Sequence, residues 1–498
     1  MALPYMSAQE AAEFINNGDA VGLSGFTAAG TPKVVPYEIA NKARREHEAG
    51  RPFRIDIYTG ASTNDSIDGA LTREHAMRKR SPYQSTPDSR KAINSREVEY
   101  FDVHLSEMAQ NVRYGVLGTL HAAIIEAQSV TESGDIVLGE AVGCAPTYAT
   151  MAQKVIIELN EAISPRIYGL HDVYITANPP HRREIPIYKA SDRIGSPVVH
   201  IDPAKIVAVV RTNCPPAGKP FTPADEVTET IGANVCQFLS SELKAGRIPS
   251  SFLPLQSGVG NVANAVLAGL DADPDIPPFD MYTEVIQDSV LKLLESGKCR
   301  FASTSSMTFS KDAMEKFYDN IDYFHSRIML RPSEISNHPE VVRRLGIISM
   351  NTALEADIFG NINSTCVSGV RMMNGIGGSA DFTRNAYVSI FSCPSVAKKG
   401  LISAIVPMVS HLDHSDHSVD ILITEQGIAD MRAKSPMDRA KAVIENCAHP
   451  DYRPLLREYL AMSKSGYMPH TLRAAFAMHE AFTTEGDMHL TDFSKYGV

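Results

Sequence analysis

A chain of 498 residues that is 44% hydrophobic and 21% charged has the makeup of a multi-domain globular protein, with room for about two to four domains, and excludes disordered, collagen-like and coiled-coil descriptions. Its 47 Lys and Arg against 58 Asp and Glu leave a net charge of −11, which excludes a generally basic face for nucleic acid or anionic membrane. No apolar run reaches the roughly 18 residues of a membrane span, and the first residues show no basic-then-apolar secretion pattern. The seven cysteines are scattered, odd in number and free of C-x-x-C pairs, which fits reduced structural thiols and a cytoplasmic location.

In chain order, Leu23-Ser-Gly25 opens a helix-like run, and Phe53-Arg-Ile leads into Asp56-Ile-Tyr-Thr-Gly60. Ile125-Glu-Ala127 precedes Gly134-Asp-Ile136, and Lys154–Asn160 and Lys205–Arg211 read as buried strands. The same signals then return. Gln256-Ser-Gly258 matches Leu23-Ser-Gly25, Asp280-Met-Tyr-Thr-Glu284 matches the segment from Asp56 (a displacement of 224), and Leu354-Glu-Ala356 before Gly360-Asn-Ile362 matches the segment from Ile125 (a displacement of 229). Three matches in order at nearly one displacement indicate one plan used twice. The alternative is the reuse of similar turns by unrelated α/β units. Asn213–Pro220, rich in Pro and Gly, suits a linker, giving expected domains 1–220 and 221–498. Val285–Ser296 reads as a helix stopped by Gly297, and Val419–Thr424 as another buried strand. Alternating strands and helices predict α/β domains with largely parallel sheets, whose ligands lie beyond the carboxyl ends of the strands.

The copies differ where chemistry would sit. The first ends its strand with Gly60 and the second with Glu284. A carboxylate between a strand and a helix N-terminus can be a base, a ligand or a nucleophile, or simply a partner of the helix dipole. Gly258-Val-Gly260-Asn-Val-Ala263, with Asp280 about 20 residues on, passes a loose dinucleotide fingerprint. It reads equally as a tight strand-to-helix turn, and on it rests the alternative of an NAD-linked oxidoreductase. Asn374-Gly-Ile-Gly-Gly-Ser-Ala-Asp-Phe382 gives a bare backbone that a substrate can approach. Glu425 ends another strand and either joins the same chemistry or caps a following helix. His411, His414 and His417 at three-residue spacing suggest either a metal site or a solvated loop, the latter favoured by the flanking residues. P-loop, serine-hydrolase elbow and zincin motifs are absent from the sequence.

The joint set Gln256–Asn264, Tyr282-Thr-Glu-Val-Ile-Gln-Asp288, Asn374–Phe382 and Ile423-Thr-Glu-Gln-Gly427 resembles the acetyl-CoA hydrolase/transferase family of class I coenzyme A transferases, and within it the succinyl-CoA:acetate CoA-transferases. The resemblance extends over nearly the whole chain, including Ser24–Gly30 and Ala448–Pro454. It implies two similar tandem CoA-transferase domains, the second carrying the nucleophile, usually in a homodimer. It implies CoA transfer between an acyl-CoA (acetyl-, propionyl- or succinyl-CoA) and a small carboxylate, with acyl-CoA hydrolysis as the near alternative. Coenzyme A is then a substrate, with no tightly bound cofactor, no metal and neither nucleic acid nor membrane as partner. By the same resemblance Glu284 is the nucleophile, the N–H groups of Val259 and Gly378 stabilise oxyanions, and Asn337 and Glu425 line the small-acid pocket. CoA would lie along Gly258, Val259, Gly260, Asn261 and Val262, with Leu354, Gly378 and Lys398. Lys398 and Lys399 would offer charge to its phosphates unless they are a plain solvated pair. The resemblance departs at Ala380, where relatives have Gly, and in the extra His and Asp of residues 411–417.

Overall fold

The computed structural model describes residues 2–216 and 224–496, so the predicted linker lies partly outside the described residues. By packing, the chain forms two compact units: Met1–Phe221 with Asp280–Leu345 and Asn374–Asp381, and Thr222–Phe279 with Gly346–Met373 and Phe382–Val498. The segment carrying Glu284 therefore packs with the first 221 residues, whereas a division at residue 220 groups it with the C-terminal half.

In the first unit, Ala20–Leu23 pairs in parallel with Ile55–Tyr58 on one side and Ala122–Val130 on the other. Met77–Ser81 and Glu99–Tyr100 extend one flank, and Lys154–Asn160 and Ile206–Thr212 the other, all in parallel. Asp135–Leu138 adds to Ala122–Val130 antiparallel. These strands are buried over most of their length, as expected of a sheet covered on both faces. Helix Val35–Glu48 places Ile39, Ala40 and Ala43 against Val21, Leu23, Ile55, Ile57 and Ile124. That helix has no side-chain cap of its own. The N–H groups of Lys33 and Val34, just before it, and of Val35, its first residue, donate instead to the buried carboxylate of Glu158 from a neighbouring strand.

Residues 280–345 are joined to this body by backbone bridges and buried charge. Ala141 bridges Ser306, Gly143 bridges Pro332 and His171 bridges Leu330. The fully buried Arg331 binds Asp172, and Arg113 binds Glu334 and Thr176. These contacts are the physical reason the Glu284 segment belongs to the first compact unit. Cys299–Thr304 pairs with Ile328–Leu330, and Val285–Ile286 with Ser306–Met307. The predicted helix over 285–296 consequently starts later, at Asp288, because Val285 and Ile286 are drawn into that short strand. It ends as expected at Gly297 with φ 78°.

In the second unit, Leu255–Ser257, Ile348–Thr352, Val388–Ser392 and Ile421–Thr424 pair successively in parallel. Gly427–Asp430 turns back antiparallel on the last strand. Helix Pro436–Cys447 packs Ala440, Val443 and Ile444 against Phe391, Leu422 and Ala429. Helix Glu226–Lys244 starts with a capping box between Asp225 and Thr228.

The fold is thus mixed α/β with mostly parallel sheets, and the register refines the internal repeat. Leu23 lies opposite Ile124, and Gln256 opposite Ser349. With Leu23 matched to Gln256, Glu126 corresponds to Asn351, not to Glu355. The first-half strand runs unbroken over nine residues, whereas its counterpart ends at Thr352. Glu355–Asp357 starts a separate small sheet with Ile362–Asn363 and Ile405–Val406. The shared Glu-Ala string there reflects two different strands.

Candidate active site

Glu284 follows strand Phe279–Tyr282 and is fixed through its backbone: its carbonyl accepts from Ser305 N–H (3.0 Å) and from the Thr304 hydroxyl (3.0 Å). It sits between two strands, with the helix beginning four residues later. The residue stays partly accessible, while its carboxyl is held by a hydrogen bond from Asn337. Asn337 ends the short helix Ser333–Ser336. Gly378 lies directly against both side chains, so that a Cβ there would overlap Glu284 Oε2 and Asn337 Nδ2. The structure therefore brings together Glu284, Asn337 and Gly378, and it explains why position 378 is bare.

A second carboxylate completes this cluster. Asp381, three residues after Gly378, is buried and accepts from Ser106 N–H (3.0 Å), Ser106 Oγ (2.6 Å) and Asn337 Nδ2 (3.4 Å). The glycine-rich loop is anchored where Ile376 N–H donates to Asp102 (2.8 Å). Burial pushes the Glu284 carboxyl up to about 8, the Asp381 charge adds to the rise, and Asn337 partly offsets it. Burial likewise raises Asp381 to about 6, against the pull of Ser106, His104 and Asn337. Tyr83 feels the Glu284 charge and is pushed up to about 12, chiefly by burial. Asp381, Ser106 and Tyr83 were not singled out from the sequence. Asp381 lay within the glycine-rich motif, but Ser106 is 275 residues away and carries no local signal.

In the second unit, Gly258 donates its N–H to Met350 O (3.0 Å) where strand Leu255–Ser257 ends. Gly260 (φ 110°) then opens helix Asn261–Ala272, and it has no side chain to cap the first N–H groups. Val259 is 46% exposed and Leu354 is 38% exposed, leaving this turn and the start of the next small sheet accessible. The turn geometry suits the close approach of an oxyanion or phosphate. Lys398 lies over the Phe482 ring at 4.7 Å, and both Lys398 and Lys399 have positive φ.

Glu425 occupies the hairpin turn between Ile421–Thr424 and Gly427–Asp430, so the helix cap suggested by the sequence is replaced by a strand reversal at Gly427. Burial, which would raise its carboxyl, is outweighed by donors from Ser395 N–H (2.9 Å), the Ser395 hydroxyl and Gln426 Nε2 (3.1 Å), leaving it below the usual range. The histidines of residues 411–417 face separate partners: His411 Asp413, His417 Asp416, and the buried His414 the Phe391 ring. Among the described residues no group of three or more His, Cys, Asp or Glu is arranged to hold a metal ion.

The sequence matches the acetyl-CoA hydrolase/transferase N-terminal domain over residues 4–211 and the C-terminal domain of the same family over residues 314–460. It is 52% identical to the propanoyl-CoA:succinate CoA transferase of Escherichia coli K12, across 97% of this chain and 98% of that protein. It is 44% identical to an acetyl-CoA hydrolase of Schizosaccharomyces pombe, across 96% and 94%. Among solved structures, RipA from Yersinia pestis superposes with a TM-score of 0.70 at 20% identity, over 91% of this chain and 96% of that one, a likeness of fold. The tandem α/β architecture is that of CoA transferases, and the protein is an enzyme of the CoA-transferase and acetyl-CoA hydrolase type, which retires the oxidoreductase alternative. The chain belongs to the acetyl-CoA hydrolase/transferase family.

Proposed function

We propose that this enzyme transfers coenzyme A between an acyl-CoA, of the acetyl, propionyl or succinyl class, and a small carboxylate such as acetate or succinate, with Glu284 as the covalent carrier. The observation that carries the reading is the placement of a partly accessible, desolvated carboxylate against a bare Gly378 backbone and the Asn337 amide. A carboxylate stripped of water is a better nucleophile, and a fixed donor beside it serves the oxyanion that forms when it attacks.

The steps balance without redox change. Glu284 Oε attacks the thioester carbonyl and the C–S bond breaks, giving an acyl-glutamyl anhydride and CoA thiolate. The thiolate attacks Cδ of Glu284, the anhydride C–O bond breaks, and the first acid leaves as its carboxylate with a glutamyl-CoA thioester behind. A second carboxylate attacks that Cδ and expels the thiolate. The thiolate then takes the new acyl group, regenerating the Glu284 carboxylate. Gly378 N–H is assigned to the tetrahedral oxyanions, with Val259 N–H as a further donor. Asn337 orients Glu284, and Glu425, held ionised by Ser395, is assigned to the small-acid pocket. Gly258 to Val262, Leu354 and Lys398 are assigned to the CoA moiety. We further infer a homodimer, on the strength of the sequence resemblance, and a cytoplasmic location, on that of the scattered cysteines.

The relative named as a hydrolase keeps one alternative in view, in which water intercepts the activated acyl group. Loss of the starting acyl-CoA, followed by chromatography for acetyl-CoA with and without succinate, succinyl-CoA with and without acetate, and propionyl-CoA with and without either acid, separates the two. Transfer predicts rates that rise at least tenfold with an acceptor and a new acyl-CoA in equal amount. Equal rates without any acceptor would overturn the transferase reading.

A further inference from the structure

Asp381 is 3% exposed, acts on Glu284 through its charge and shares the Asn337 amide with it, yet the carrier chemistry has no evident use for a second negative charge. Its hydrogen bonds define a one-way chain. Ser106, 7% exposed at the start of helix Leu105–Arg113, gives Asp381 both its N–H (3.0 Å) and its hydroxyl (2.6 Å). The Asn337 side chain donates Nδ2 toward Asp381 (3.4 Å), and its Oδ1 accepts from Ser336 Oγ (3.0 Å). The ionised Asp381 carboxylate accepts only, so the amide is oriented in one sense: its NH2 faces Asp381 and Glu284 and its carbonyl faces Ser336.

We propose that Asp381, anchored by Ser106, is a positioning residue for the acyl-transfer reaction: it locks the Asn337 amide toward Glu284 and places a fixed negative charge beside the carboxylate that must react. This rests on the reading of Glu284 as the carrier. When Glu284 attacks a thioester, its charge passes to the departing CoA sulfur, so forming the anhydride relieves the repulsion from Asp381. When the first acid is released as a carboxylate, the same charge helps expel it. Asp381 thus raises the energy of the resting carboxylate and of bound product acid relative to the acylated enzyme.

Among the described residues, the charged and titratable groups that act on the pair or hold its loop include Tyr83, His104, Arg90 and Asp102. Glu284 faces Asp381, with Tyr83 beyond the loop; Asp381 faces His104, and Tyr83 in turn feels Arg90. Removing the Asp381 charge is therefore expected to shift the ionisation of Glu284 itself.

The test compares wild type with D381N, D381E and S106A in the full-length enzyme, using single-turnover acylation by acetyl-CoA across pH, borohydride trapping at Glu284, and steady-state kinetics with acetate. D381N should move the rising limb of the acylation profile to lower pH by about one. It should also lower kcat by about 10- to 100-fold through loss of Asn337 orientation, and lower the KM for acetate severalfold as repulsion of the bound acid is lost. D381E should restore the limb. S106A, which keeps the carboxylate and its backbone donor but removes a hydroxyl that favours the ionised form, should lower kcat about threefold or more and move the limb no further than D381N does. If D381N does not fold, a reduced kcat in S106A, with the limb kept in D381E, carries the same conclusion, and an S106A enzyme indistinguishable from wild type would overturn it. A labelled wild type whose D381N variant keeps the wild-type limb and acetate KM would overturn this proposal alone. Absence of label at Glu284 in wild type would overturn the carrier reading and this proposal with it.

Discussion

Asp381 and Ser106, 275 residues apart in the chain, share two hydrogen bonds, one from the Ser106 N–H at 3.0 Å and one from its hydroxyl at 2.6 Å. Glu284 thus feels the charge of a carboxylate whose contact joins the first part of the sequence to the glycine-rich loop. It is held in a setting that favours its uncharged form, and this has a direct kinetic consequence.

With the Glu284 carboxyl pushed up to about 8 by burial and Asp381, only a small fraction is ionised at pH 6. The ionised form is the nucleophile, so the rate of Glu284 acylation should rise about tenfold per pH unit from about pH 6 and level off above pH 8. Rapid-quench acylation by acetyl-CoA at saturating concentration measures this. A rate independent of pH down to 5 would show that Glu284 is ionised throughout.

Gly378→Ala would put a methyl group where Glu284 Oε2 and Asn337 Nδ2 now sit. Displacing either by even 1 Å should cost about 100-fold or more in kcat. The thermal midpoint should stay within a few degrees of wild type, because the added methyl meets side-chain ends at a partly open site. Steady-state assays beside thermal unfolding check both halves. A variant with near-wild-type kcat would contradict the close placement of the loop.

Asp172→Asn leaves the fully buried Arg331 without its counter-charge. Breaking a buried pair in this way costs about 3–5 kcal/mol. The same carboxylate also accepts from the N–H groups of Ile194 and Gly195, so the connection between 280–345 and the preceding residues should loosen. Thermal unfolding should shift down by several degrees, and limited proteolysis should cut earlier near 190–195. An unchanged midpoint would show that the pair contributes little.

Much of the fold was legible because the strands announce themselves: Lys154–Asn160 and Ile421–Thr424 are runs of branched apolar residues, which only a sheet buried on both faces accommodates. Glu284 was legible by contrast, since the repeat places a glycine at the matching position. Two local details were set from outside their own segments. Val285–Ile286 became a strand because Ser306–Met307 was there to pair with it, and Glu425 fell in a hairpin because Gly427 reverses the chain. The support of the site was not legible at all. Ser106, Asp102 and Tyr83 come from the first 110 residues, and no spacing in the sequence announces a contact closed over more than 270 residues.

The central claim is that Glu284 carries CoA as a covalent thioester. Incubating the enzyme with succinyl-CoA or acetyl-CoA, treating with borohydride and mapping peptides by mass spectrometry tests it most directly, because borohydride converts a side-chain thioester to a primary alcohol at the residue that bore it. The account predicts that alcohol at Glu284 in wild type, dependent on acyl-CoA. In Glu284→Gln it predicts no label, with turnover reduced about 10^4-fold or more and the fold intact. Full turnover with Glu284 unmodified, or with the alcohol at another residue, would contradict it.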